Sequence, residues 1–335
     1  MTIQAVSSNL SLPGPHDIHR KVLANGITVL TRSNFNSPSV VVTGFLGAGS
    51  SHDSTEKLGL AHFTAAALMR GTKTQTFQTI FDKLESVGAS LGFAASVHNT
   101  GFSGRSLVED LPLLLGQLAD CLQNPGFPLA YFKRLQAQLL TGLSIRAQDT
   151  SEMAALTFDK LLFGEHPYGR PEDGYVETIK RISRQDLVNF HKEYYTPQNM
   201  VIVIVGALEA QATFDAVEAI FGSWEKTPSQ PQPTKIQIAV PTQTQRSHIE
   251  LPEKSQMDLI IGTLAPHRLS PDYLAASLGN NVLGQFGMMG RIGKWCVKKP
   301  GWLMTPLQAS TPGSKGVPGK CQRASTRSIL KKPLI

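Results

Sequence analysis

Cysteine is scarce in this 335-residue chain: only Cys121, Cys296 and Cys321 are present. Three are too few for a disulfide framework, and none stands at a metal-ligand spacing. Long apolar runs are missing as well. No uncharged stretch approaches the ~20 residues that a membrane-spanning helix needs. Met1 to Gly14 is polar and has no apolar core, so no signal peptide is expected there. These absences point to a soluble chain in a reducing, cytoplasmic setting. Acidic residues are absent from Lys294 to Ile335, although that segment carries nine of the 32 Lys and Arg. The remaining 23 basic and 25 acidic residues leave positions 1–293 with a net charge of −2. The overall charge of +7 therefore belongs to one segment. It does not argue for nucleic acid, which needs a fold or motif to present the charge.

Hydrophobic residues make up 41% and charged residues 17%, a globular composition for a chain long enough for about two domains. Lys21 to Leu30 reads as a hairpin, because Asn25-Gly26 supplies the positive φ angles of a tight turn between β-formers. Ser39 to Gly47 fits a buried strand, and Leu58 to Arg70 a short helix that Gly71 stops. A second helix covers Phe77 to Val87, and a second hairpin Ser90 to Leu107 turns at His98 to Gly101. Helical periodicity marks Asp110 to Leu122, Leu129 to Arg146, Met153 to Leu162, Ser183 to Tyr194 and Ala210 to Phe221. Ser183 stands as an N-cap, and Asn199 to Leu208 is a strand buried on both faces.

Strands come in hairpins and helices in runs, an α+β pattern with an antiparallel sheet covered by helices on one face. The expected organisation is a flexible N-terminus (1–14), one complete domain (15–225), a proline-rich linker (226–245), the start of a second similar domain (246–293) and an irregular basic tail (294–335). In that second domain His248 to Leu251 and Met257 to Ala265 read as strands, and Pro271 to Leu283 as a helix. The order repeats the opening of the first domain.

Gly47 to Asp53 and the helix Leu58 to Thr72 resemble the active-site strand and helix of the insulinase, pitrilysin and mitochondrial processing peptidase superfamily of zinc peptidases. Two later stretches are similar to this family: Phe163 to Pro171, and Phe190 to Val201 leading to Val205-Gly206. The family carries an inverted motif, H-x-x-E-H, on that helix. Two histidines four residues apart share a helix face and reach one Zn²⁺, and the glutamate is the general base for the metal-bound water. Here the motif reads His62-Phe63-Thr64-Ala65-Ala66. Ala65 stands at the base position and Ala66 at the second ligand. The resemblance places a third ligand, a glutamate, in Gln138 to Ile145, which contains no carboxylate. No catalytic residue, metal ligand or cofactor is therefore assigned, and His62 is the one remnant.

The other chemistry-bearing residues have plainer readings. Asp149 and Glu152 mark a helix start, where carboxylates favour the dipole. His166 is a turn residue before a proline, and the Met-rich segment Phe286 to Gly290 reads as core packing, with an apolar-ligand site as the alternative. Gly287 and Gly290 form no phosphate loop. From Lys294 the chain loses helix and strand periodicity. The resemblance implies a continuation similar to R-x-x-x-G-L-A-Y, and the genetic code permits codons for Pro300 to Met304, read one nucleotide earlier, to spell Thr-Gly-Leu-Ala-Tyr, so a shifted reading frame is expected near Lys294. The resemblance implies a non-catalytic partner that helps a zinc-bearing subunit enclose an extended peptide. A zinc endopeptidase with rearranged ligands and a truncated product with little function are the alternatives.

Overall fold

The computed structural model describes residues 14–226, 238–255, 257–285, 289–292 and 294, and three strand segments at 302–305, 319–321 and 325–328. The N-terminal segment before residue 14, most of the proline-rich linker and much of the basic tail lie outside the described residues. The chain divides into two compact units. One is built from Met1–Gln136 and Arg181–Gln232, the other from Ala137–Lys180 and Pro233–Ile335.

The first unit holds a six-stranded sheet. Its strands are β1 (His19–Val22), β2 (Thr28–Ser33), β3 (Ser39–Leu46), β4 (Ser90–Ala95), β5 (Thr100–Leu107) and β6 (Val201–Gly206), in the spatial order β1-β2-β6-β3-β5-β4. The α+β reading holds, and Gly26 takes the turn of the first hairpin at φ +92°. The expected all-antiparallel sheet needs one correction: β2 and β6 pair in parallel. They lie far apart in the sequence, so no tight turn dictates their direction, and β6 joins the β1–β2 hairpin to the β3, β5 and β4 strands.

Helices α1 (Leu60–Ala67), α2 (Phe77–Ser86), α3 (Leu111–Gln123), α7 (Arg184–Tyr194) and α8 (Ala210–Phe221) belong to this unit, and the unit boundary falls within α4 (Leu129–Arg146). Strand alternation separates a buried face from an open one. Val40, Val42, Ile202 and Ile204 are buried beside Leu114, Leu118, Val217 and Phe221, which come from α3 and α8. Val41 and Phe45 point the other way and are exposed. Val201, Val203 and Val205 are only half-buried, so β6 is covered on one face, not on both as its apolar run implies.

Local signals account for the element ends. Ser183 and Asp186 form a full capping box at the start of α7. Gly71 ends the turn after α1 at φ +127°. At Gly44 a Cβ would lie 2.1 Å from the carbonyl oxygen of Val201, so the close β3–β6 approach requires glycine.

The second unit contains α5 (Thr150–Phe163), α6 (Val176–Arg181, which ends at the unit boundary), β7 (Met257–Leu259), β8 (Thr263–Ala265) and α9 (Tyr273–Asn280). α5 packs on β7, and the Thr150 hydroxyl donates to the Asp258 carboxylate at 2.5 Å. The strand expected at His248 to Leu251 does not form. A β-prone run becomes a strand only where a neighbour completes its ladder. Conversely, the segment expected to be irregular contains β9 (Trp302–Thr305), β10 (Gly319–Cys321) and β11 (Ser325–Ser328). β10 pairs with β8, and β11 pairs with β7 and β9. Backbone pairing can recruit three or four residues whose composition alone would not order them. Among the described residues no helix is long and apolar enough to cross a membrane.

Candidate functional site

The residues that hold α1 in place precede it. The segment from Ala48 to Asp53 is laced to the loop between β4 and β5. Ser50 N–H donates to Ser96 O at 3.0 Å, Ser51 N–H to Val97 O at 2.8 Å, and the Thr100 hydroxyl to Ala48 O at 2.6 Å. At Gly49 a Cβ would lie 2.4 Å from the Val97 carbonyl oxygen, so only glycine admits this approach. Asp53 then caps the helix: its buried carboxylate accepts from Gly59 N–H at 2.9 Å and Ala61 N–H at 3.0 Å. Two donors that a helix start otherwise leaves orphaned are thereby satisfied. Gly59, at φ +94°, turns the chain into α1. Phe63 anchors the helix on its other side, fully buried and stacked on Phe132 with ring centroids 5.0 Å apart.

So held, α1 packs against β4 and α7. His62 and Ala66, four residues apart, are half-buried on one face, while Ala65 is buried at 2% exposure. The helix thus presents one imidazole and one methyl group where the family's motif presents two imidazoles. The carboxylate of the motif is replaced by a methyl group in the core. This donor set does not fit a catalytic zinc, which takes three protein ligands and a water. Among the described residues, no group of three or more His, Cys, Asp and Glu could hold a metal ion.

Two further histidines stand near the start of α1. His52 packs at a tilt against Tyr194 with ring centroids 4.3 Å apart. Burial lowers its pKa, opposed by a hydrogen bond to the Gly47 backbone and by the Glu193 carboxylate, and burial lowers that of His98. Burial, with Glu193 and Asp53, pushes the Tyr194 phenol up to about 12. Burial thus favours the uncharged form of each of these three groups.

In the second unit Gln138 to Ile145 lies in the second half of α4 and offers no carboxylate. Asp149 caps α5, accepting from Glu152 N–H at 2.9 Å, so both acids serve the helix start. His166 is buried and its Nδ1 accepts from Tyr168 N–H at 3.1 Å, a turn role. The Met-rich segment needs correction: Met289 is 71% exposed, not core, and Phe286, Gly287 and Met288 lie outside the described residues. Sequence reasoning missed Asp53 as the cap, because its partners lie six and eight residues on, beyond the three-residue spacing of a capping box.

Comparison with known proteins places this geometry. The family model for Insulinase (Peptidase family M16) matches residues 28–161, and that for the Peptidase M16 inactive domain matches residues 181–313. The chain belongs to the insulinase family, M16. The second match runs past Lys294 into the segment expected to be out of frame.

Among M16 relatives, the chain is 30% identical over 207 residues to a probable mitochondrial-processing peptidase subunit beta of Arabidopsis thaliana, covering 62% of this chain and 39% of that one. It is 28% identical over 204 residues to an uncharacterized zinc protease of Mycobacterium leprae, covering 61% and 46%. It therefore spans less than half the length of these two relatives. The crystal structure of a peptidase M16 inactive domain from Pseudomonas fluorescens superposes with a TM-score of 0.81 at 29% identity, covering 93% of this chain and 74% of that one. A protease from Helicobacter pylori shares the fold, with a TM-score of 0.85 at 17% identity over 95% of this chain and 76% of that one.

Proposed function

We propose that this chain is a non-catalytic M16 homologue that holds an extended peptide and works beside a zinc-bearing subunit of the same family. The observation that carries the reading is α1 itself. The helix keeps its cap, its aromatic anchor and its place against β4, yet Ala65 and Ala66 stand where base and second ligand would be. Loss of the base removes the chemistry independently of the metal. What remains beside α1 is β4, an edge strand of the sheet. An edge strand offers unpaired backbone donors and acceptors to which an extended peptide adds as a further strand. The partner reading has two supports: relatives named as processing-peptidase beta subunits, and a chain that retains the frame of the site without its donors.

The test is metal analysis and peptide binding on the full chain. The purified protein should hold no stoichiometric zinc and cleave no fluorogenic peptide. It should bind an extended decapeptide at least tenfold more tightly than the same peptide with alternate backbone nitrogens methylated. Stoichiometric zinc abolished by His62→Ala would overturn the reading, as would equal binding of the two peptides. Mixing with a zinc-bearing M16 subunit should raise that subunit's turnover if the two share a chamber.

A further inference from the structure

We infer that Asn25 is a modification site, where spontaneous deamidation breaks the tie between the first hairpin and the end of α8. Asn25-Gly26 is the one Asn-Gly pair in the chain. The reaction is intramolecular. The backbone nitrogen of the following residue gives up its proton and attacks the side-chain Cγ. A C–N bond forms, the Cγ–Nδ2 bond breaks, and the amide nitrogen leaves as ammonia. Water then opens the five-membered imide at either carbonyl, leaving an aspartate or an isoaspartate whose backbone is longer by one methylene. Glycine obstructs that attack least, because it has no Cβ. Gly26, at φ +92°, is also uncrowded: a Cβ there would meet nothing closer than 3.7 Å.

The fold holds this reactive pair shut. Nδ2 of Asn25 donates to Phe221 O at 2.7 Å and to Trp224 O at 3.2 Å, and Oδ1 accepts from Ile27 N–H at 3.4 Å. The Gly26 N–H, the nucleophile, donates to Leu23 O at 2.9 Å. Each polar atom that the reaction must move is thus already bonded. Asn25 is only 6% exposed, and Phe221 beside it is fully buried. Attack therefore requires a local opening, in which the carboxamide leaves the two carbonyls and turns toward Gly26.

Reclosure after the reaction fails for a chemical reason. A carboxylate has no N–H to donate. Set back in the same place, its charge would face two carbonyl oxygens where little water reaches. The isoaspartate form also lengthens the turn and disturbs the bond from Leu23 N–H to Ile27 O, now 2.8 Å. The opening is reversible and the product is not, so deamidation fixes the end of α8 in its released form. Among the described residues α8 is the last helix of the first unit, and the chain runs on from it to the second. Asn25 thus sets how firmly that connection is anchored. Neither His62 nor the β4 edge takes part, and the inference stands apart from the proposed peptide-holding role.

The experiment incubates the full chain at pH 8.5 and 37 °C and reads deamidation by peptide mass spectrometry as a gain of about 1 Da. Asn36-Ser37, both exposed, is the internal reference. In concentrated urea Asn25 should react at least tenfold faster than Asn36. In the folded chain the Asn25 rate should fall at least tenfold from its value in urea and stay measurable. Phe221→Leu, which loosens the anchor, should raise it at least fivefold and leave Asn36 unchanged. In the deamidated chain, and in Asn25→Asp, the amides of residues 218–224 should exchange hydrogen at least tenfold faster while those of α3 do not. A folded chain still intact at Asn25 once Asn36 has half reacted would overturn the proposal, as would an unchanged rate in Phe221→Leu. So would a deamidation rate that follows exchange of the α3 amides, which marks global unfolding, or a deamidated chain whose α8 end exchanges as slowly as the parent's.

Discussion

Lowering the pH should destabilise the first unit through His191, and the size of the effect follows from where that imidazole sits. Its Nε2 donates to the carbonyl of Leu122 at 2.7 Å, and its ring stacks on Tyr195 at 4.8 Å and meets Phe127 edge-on at 5.9 Å. Burial in this aromatic setting lowers its pKa from 6.5 to about 4, although the Leu122 hydrogen bond opposes the shift and nearby Lys73 adds to it. The folded-state pKa lies below the unfolded one, so the unfolded chain takes up the proton first as pH falls. Stability is therefore complete above about pH 6.5, declines as pH drops, and stops declining from this source near pH 4, where both states are protonated. The gap from 6.5 to about 4, at about 1.4 kcal/mol per pH unit, corresponds to about 3 kcal/mol. His52 and His98 add to the slope in the same direction. Urea unfolding at pH 7.5, 6, 5 and 4 measures the sum. His191→Gln, which keeps a donor for Leu122 but never charges, isolates the largest part. The variant should lose most of the decline between pH 6.5 and 4. A decline as steep in His191→Gln as in the parent would refute the argument that this imidazole is buried in its neutral form.

Three further outcomes follow from the packing. Phe63→Ala removes a fully buried ring stacked on Phe132 and should cost about 3–5 kcal/mol in calorimetric or urea unfolding, a loss under 1 kcal/mol contradicting the packing. Asp53→Ala strips two backbone donors of their acceptor and should cost about 1–2 kcal/mol; Asp53→Asn, keeping one acceptor oxygen, should recover part of it. Gly44→Ala forces a Cβ against the Val201 carbonyl and should cost about 3 kcal/mol, the upper range for overpacking, with lowered soluble yield as the simpler readout.

How far the site is legible in the sequence can be judged residue by residue. The replacement of base and ligand by Ala65 and Ala66 is plain at helical spacing, because i and i+4 share a face wherever the helix goes. Ser183 is readable as a cap for the same reason: its partner lies three residues on. Asp53 is not readable, since its carboxylate reaches amides six and eight residues away through a loop whose path is set by Ser96 and Val97. Nor is the exposure of Met289, because apolar character says what a side chain prefers and not whether anything arrives to cover it.

The amino-acid order alone determined the hairpins, the helix spans and the missing donors on α1, all of which rest on contacts within a few residues. Tertiary structure decided which strands became neighbours. The parallel β2–β6 pair joins residues far apart in the chain, and only that pairing sets Arg32 and Arg105 in one row with two valines between them. Periodicity tells which face of a strand a residue occupies, whereas the register of distant strands, fixed by burying the other face, tells what stands beside it.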